Sequence, residues 1–322
     1  MTTFSWEKTI MDVDTDFHLG YARRAGLDND KALIGYYWTN SPLYYYDGTE
    51  WSEEQPWGDV ERRWVDMAID GDKRVVTGWG GTYPDRYGLF YDDGGGWERQ
   101  TPPDYSAASD PIYFVDMDGG NIFASDNYDK QWYFDGSTWS KLTLTDMPAY
   151  FNGPVGLGLS GDKMVICDEY EYVGYYDGTD WNWFSMSSYC DFLFDCDIYG
   201  DTVVVTGYDT DRSIGKILIY DGTEWTVHTP VSSPGGSWFT RCSIYNGVIL
   251  VGSDNENGEG LLIYSDGDFS TWRNTAPAGA SDGDWDFVEL SNGTAFVHRA
   301  YSYDMHYYFG TYSTDLQQIM WF

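Results

Sequence analysis

The groups that could move protons or hold a metal in this chain of 322 residues are 52 carboxylates and four histidines. His18, His228, His298 and His306 are scattered, and no serine or cysteine motif lies beside them, so no nucleophilic triad is assembled. Carboxylate pairs occur throughout, and their abundance keeps any one pair from standing out as a glycosidase acid and nucleophile. Asp12, Asp14 and Asp16 form one run of alternating oxygen ligands, and Asp254, Glu256 and Gly258 form a second, a pattern that suits Ca²⁺. Neither supplies the glycine and distal glutamate of a calcium-binding helix-loop-helix, so solvated acidic loops and no cofactor are expected. Cys167, Cys190, Cys196 and Cys242 lack CxxC spacing and read as buried free thiols. Cys190 with Cys196 is the only local pairing open to a disulfide.

The elements that must position these groups are set by a repeat. YYYDGTEW ends at Trp51, FYDDGGGW at Trp97, YFDGSTW at Trp139, YYDGTDW at Trp181, IYDGTEW at Trp225 and IYSDGDFSTW at Trp272. A period of about 40 to 50 residues means a propeller, a solenoid or an array. Within residues 64–100, WVDMAI alternates like a strand, Asp70-Gly71 reads as a hairpin turn, and KRVVTGW is a second strand. RYGLFYDD is a third strand, Gly94 to Gly96 turn, and GWERQ is a fourth. Asp-Gly suits tight hairpins because glycine adopts positive φ freely and aspartate tolerates it.

Four antiparallel strands per repeat make one propeller blade. The expected fold is all-β, a single domain over 1–322 forming a seven-bladed β-propeller, with six or eight blades as the alternatives. The blades fall near 18–55, 62–100, 111–142, 151–184, 192–228, 238–273 and 284–322, the last completed by residues 3–10. There FSWEKTI resembles the fourth strands elsewhere, and Trp6 would stand where other blades place their tryptophan. The ring would then be closed by its termini, with LQQIMWF competing for that strand.

This succession of strand, glycine turn, VVTG-like strand, variable loop and Y-D-G-x-x-W resembles the kelch and FG-GAP class of β-propeller repeat over nearly the whole chain. The second turn is similar to the Asp-box of sialidase-like propellers, and Ser265, Asp266, Gly267, Thr271 and Trp272 approach that pattern most closely. In that family the motif folds a hairpin, so the resemblance implies no catalytic residue. FG-GAP calcium loops occupy the first-to-second connection, which is too short here to cage an ion. Sialidase-like chemistry would also need clustered arginines, and the eleven present show no such spacing.

The two tight turns of each blade lie on one face of the disc, which leaves the long loops on the other. Functional residues concentrate on loops held by a rigid scaffold. The interblade connections would place Trp57, Tyr105, Tyr150, Tyr189, Trp238 and Trp285 on that face. The second-to-third loops would add Trp79, Tyr83, Arg86, Tyr170, Tyr172, Tyr208, Asp209, Arg212 and Tyr303. Rings beside carboxylates suit protein partners or sugars, since rings give stiff apolar area and acids accept hydrogen bonds.

Charge narrows the partner. The 52 acids, 40 of them Asp, oppose 18 basic residues for a net charge of −34. Such a surface repels itself in dilute buffer, and in about molar salt the Debye length shrinks to about 3 Å and the repulsion fades. The composition resembles that of halophilic, salt-in proteins. Nucleic acid is disfavoured as a partner because no basic surface is visible. No stretch of 18 apolar residues is present, so no membrane span is expected. MTTFSWEKTIMDVD carries no secretory pattern. The expectation is a non-catalytic binding or structural protein, on a virion surface or extracellular, engaging protein partners in an assembly or a cell-surface glycan or glycoprotein. A virus of a halophilic archaeon fits that combination. A glycan-active propeller enzyme and a cytoplasmic scaffold of a halophile are the alternatives.

Overall fold

The computed structural model describes residues 5–9, 25–35, 42–56, 62–80, 86–107, 111–126, 128, 130–211, 214–229, 238–254, 261–264, 273–274, 284–301 and 304–311. These form seven four-stranded antiparallel sheets. The innermost strands are Ala25–Asp28, Arg62–Asp70, Ile112–Asp118, Pro154–Ser160, Phe192–Tyr199, Trp238–Tyr245 and Asp284–Ser291, which number blades 1 to 7. Blade 7 takes its fourth strand from Ser5–Thr9, which pairs antiparallel with Asp304–Thr311 and sets Trp6 opposite Gly310. The seven-bladed ring is therefore closed by its two ends. LQQIMWF lies outside the described residues.

Each blade is buried on both faces, because each packs between two others. The second strand of blade 5 shows why its sequence is an unbroken apolar run: Val203 and Val205 pack towards blade 4, and Val204 packs towards blade 6. One apolar cluster fills each of the seven gaps among the described residues. The gap between blades 7 and 1 is filled by Phe296 with Ala25, Leu27, Ala32 and Ile34.

The recurring Y-D-G-x-x-W phrase is a fastener. Asp47 Oδ1 accepts from Thr49 N at 2.8 Å, Thr49 Oγ1 at 2.6 Å and Glu50 N at 2.9 Å. Asp135, Asp177 and Asp221 tie the same turn in the same way. These hydrogen bonds favour the ionised form and hold Asp47 and Asp177 down at about 2. The tryptophan opens the fourth strand and leans on the third, as Trp51 does on Tyr46 at 5.1 Å. It also reaches the preceding blade: Trp97 Nε1 donates to Glu54 Oε2 at 3.0 Å, and Trp139 Nε1 to Gln100 Oε1 at 3.1 Å. The Trp272 copy lies outside the described residues.

The first turn departs from its expected register by one residue. Asp70 pairs with Lys73, so the turn residues are Gly71 and Asp72, and Gly71 takes the positive φ of 62°. Asp70 is thereby released from its own turn, and its Oδ2 accepts Gly120 N of the next blade at 2.7 Å. Asp28 holds Gly71 N at 2.7 Å, Asp118 holds Gly161 N at 2.5 Å, and Ser160 Oγ accepts Gly200 N at 2.9 Å. Ser291 closes the circle from blade 7 to blade 1 by accepting Asn29 N at 2.9 Å.

A second tier of stitches runs deeper. Asp66 accepts Val115 N at 2.9 Å, Asp116 accepts Leu159 N at 2.7 Å, and Asp197 accepts Ile244 N at 2.8 Å. Asp195 accepts Cys242 N at 3.3 Å, and Ser243 Oγ accepts Leu290 N at 3.0 Å. In every case a side chain of one inner strand satisfies a backbone N–H of the next blade. Edge strands leave such groups unpaired, and inside a ring they must find a partner.

Candidate functional site

Inner strands of all seven blades surround a central channel of about 150 Å³. Asp66, Asp116, Asp195, Asp197 and Glu289 line it, and Arg241 is the cation among the lining residues described. Burial and then the charge of Asp197 push the Asp116 carboxyl well above the usual range, against the N–H groups of Leu159 and Met117. Burial likewise pushes Asp197 up to about 6, aided by Asp195 and opposed by the N–H groups of Ile244 and Ile198. The hydrogen bonds of these acids hold the ring together. No group of three or more His, Cys, Asp or Glu among the described residues is arranged to hold a metal. Asp12, Asp14, Asp16, Glu256 and Gly258 lie outside the described residues. All four cysteines are free and buried, Cys190 and Cys196 included.

At the mouth of the channel on the loop face, the inner strands share a feature that the sequence did not announce. Pairing slips by one residue between Trp64 and Asp66, and slips likewise in every later blade, leaving Val65, Tyr113, Val155, Phe194, Thr240 and Asp286 as bulged residues. A bulge re-aims a side chain and increases twist. Tyr113 and Phe194 are thus presented to neighbouring rings: Tyr113 meets Trp79 edge-on at 6.0 Å, and Phe194 stacks on Trp238 at 5.8 Å.

The expected site residues divide accordingly. Trp79 and Arg86 come together, with the guanidinium 5.9 Å from the Trp79 ring and 5.4 Å from that of Tyr87. Tyr208 is buried and meets Trp238 at 5.2 Å. Asp209 is engaged by Lys216 at 3.8 Å. Tyr105 packs edge-on against Trp132 between blades, 6.0 Å away. Tyr172 is half-buried at the head of its strand, where its N–H donates to Asp168 at 2.8 Å. Tyr150 stands apart in the connection from blade 3 to blade 4. Trp57, Tyr83, Arg212 and Tyr303 lie outside the described residues, and Trp285 is described only as a backbone position in the inner strand of blade 7.

Five large apolar side chains are exposed among the described residues: Tyr128, Tyr150, Tyr170, Tyr189 and Trp238, at 65, 84, 48, 39 and 43%. Four belong to loop-face connections, Trp238 opens the inner strand of blade 6 on the same face, and together they span blades 3 to 6. Tyr128 escaped the sequence argument because its loop, between Asp126 and Gln131, is among the shortest on that face. Asp168 shows how such loops are held: its Oδ1 accepts the N–H groups of Tyr170, Glu171 and Tyr172 at 3.1, 2.7 and 2.8 Å. A buried acid thus fixes the backbone that displays Tyr170.

This ring of blades has counterparts. The chain shares its fold with solved β-propellers. It is similar to the structure of YCF48 bound to D1 peptide, at 14% identity with a TM-score of 0.65, covering 96% of this chain and 95% of that one. YCF48 from Cyanidioschyzon merolae matches at 12% identity and a TM-score of 0.65, over 94% of this chain and 98% of that one. The WD40 β-propeller domain of Doa1 matches at 13% identity and a TM-score of 0.59, over 98% of this chain and 99% of that one. No protein-family model matches the sequence, and no curated protein matches it.

Proposed function

We propose that the chain is a non-catalytic propeller that binds a protein partner through its loop face. The observation that carries this is the segregation of all five exposed large apolar side chains of the described residues to that face. Large aromatic side chains exposed on one face and not on the other single that face out as the one for interactions. Tyrosine and tryptophan are the residues that interfaces favour. The fold neighbour YCF48, solved with a peptide bound, supports the use of this scaffold for protein recognition. Cross-linking in a cell extract tests the proposal. Replacing Tyr150, Tyr170 and Trp238 by alanine should abolish the cross-linked species, whereas Glu50→Gln with Glu224→Gln on the turn face should leave them. The opposite pattern would overturn it.

The finer reading is a surface protein of a virion, decorating capsid or tail or recognising the host, from a virus of a halophilic archaeon. Its support is the charge of −34 together with the predominance of Asp among the acids. Screening of that charge should raise the melting temperature as KCl increases from dilute buffer to about molar concentration. A melting temperature that stays level would remove the halophilic argument. A gene placed among capsid and tail genes would favour the virion, and one in a metabolic operon would count against it.

A further inference from the structure

We propose that the shelf formed by Phe194, Tyr208 and Trp238 receives an arginine or lysine side chain of a protein partner; this rests on the loop-face reading and names the chemistry it recognises. Trp238 opens the inner strand of blade 6 and is 43% exposed. One side of it is backed by Phe194, stacked at 5.8 Å with 15° between the planes, and Tyr208 supports it at 5.2 Å. Two neighbours therefore hold the indole in place while its remaining surface faces solvent.

The chain itself shows what its aromatic pairs accept. Arg74 lies 4.3 Å above the Tyr45 ring and 5.1 Å from that of Trp97, and Arg86 caps Trp79 and Tyr87. Trp79 and Tyr208 occupy the same place in their blades, at the end of VVTGW and VVTGY. Trp79 pairs with Tyr87, one residue after Arg86, and Tyr208 pairs with Gly215, one residue after Ile214. Blade 5 thus keeps the ring and replaces the cation by isoleucine.

Acids flank the vacated place. Asp191 donates its N–H to the Tyr208 carbonyl at 2.8 Å, and its Oδ2 is held by Thr210. Asp209 and Asp211 follow, and the buried Lys216 is already shared with Asp209. A cation over the indole would gain from both the ring quadrupole and the carboxylates. A neutral sugar would gain from the ring and from hydrogen bonds to the acids, without the attraction between charges.

The test is fluorescence anisotropy of a short Gly-Arg peptide against the full chain in about 0.5 M NaCl, where the Debye length is about 4 Å and general attraction to net charge is weak. Trp238→Ala leaves the charge unchanged and should weaken binding about fivefold to tenfold. Phe194→Leu, which removes the backing ring, should act in the same direction, with melting curves confirming that both variants fold. A peptide with glutamate in place of arginine should not bind.

Wild-type affinity in both variants would overturn the shelf. Preference for an oligosaccharide over the arginine peptide would do the same. Tighter binding by Arg212→Ala would show that the chain fills its own shelf, again overturning the proposal. If Tyr150→Ala and Tyr170→Ala abolish peptide binding while Trp238→Ala does not, the shelf fails and the loop-face reading stands. If no loop-face variant changes binding, both fail.

Discussion

Aspartate does three separable jobs in this molecule, and the first and third make their own predictions. In the outer hairpins it ties its own turn; on the loop face it fastens connections; in the channel wall it satisfies the next blade's backbone. Asp66 is fully buried and accepts the N–H groups of Met67 and Val115. Asp66→Ala would leave both donors without that acceptor and should cost about 3 kcal/mol of stability in denaturant titration. The acids also divide by titration. Asp47 and Asp177, at about 2, lie below their ordinary 3.8, so they contribute stability above about pH 4 that is lost as pH falls towards 2. Asp197, at about 6, is raised, so between about pH 4 and 6 the native state holds more protons than the unfolded chain and stability falls as pH rises. Asp116 acts in the same sense. The melting temperature should therefore peak near pH 4 to 5, and Asp197→Asn should flatten the alkaline limb. A plateau up to neutrality would contradict this account. The turn aspartates were legible in the sequence because their partners lie two and three residues away. The channel aspartates were not, since each partner lies about one repeat further along the chain.

At the scale of the element, the inner strand carries the most specific constraints. Blade 4 has Gly156 where blades 2, 3, 5, 6 and 7 have larger residues, and Gly158 where blade 1 alone also has a glycine, Gly26, and blade 5 leans into the space. A Cβ added at Gly156 would lie 2.6 Å from Cys196 N and 2.8 Å from Asp195 Oδ1, and one at Gly158 would lie 2.9 Å from Asp197 Oδ1. Gly156→Ala must push the two inner strands apart, a strain of roughly 1 to 3 kcal/mol. Gly161→Ala offers the contrast: a Cβ there meets nothing, and the cost comes only from its φ of +62°. Thermal melts should show Gly156→Ala perturbing the near-ultraviolet circular dichroism of the packed aromatics, whereas Gly161→Ala lowers stability and leaves that spectrum unchanged. Strand order and the outer hairpin could be read from alternation and from the Asp-Gly signal. The register of the inner hairpin could not, because Asp70-Gly71 and Gly71-Asp72 are both acceptable turn pairs and only the stitch to Gly120 decides between them. The bulges were hidden for a different reason: Trp64 and Met67 face the same gap although three residues apart, and a run as short and as apolar as WVDMAID does not mark that shift of phase.

For the whole molecule, the decisive contact is the one that makes a ring out of an array. Seven blades packed in sequence would leave blades 1 and 7 each with an apolar face in water, so closure is what completes the core. Two features join the ends. Phe296 fills the gap against Ala25, Leu27, Ala32 and Ile34, and Ser291 both accepts Asn29 N and donates to Asp28 Oδ1 at 3.1 Å. The strand Ser5–Thr9 adds a hydrogen-bonded tie by contributing the fourth strand of blade 7 from the opposite end of the chain. Deleting residues 1–10 removes five strand pairings, from Ser5 with Thr311 to Thr9 with Tyr307. It also exposes Asp304–Thr311 as an edge able to pair with another molecule. The truncated chain should melt at a lower temperature and self-associate in light scattering, and a synthetic peptide of residues 1–10 should reverse both effects. Unchanged melting would mean that Phe296 and Ser291 close the ring unaided. If melting falls and the peptide does not restore it, the loss would come from something other than the missing strand.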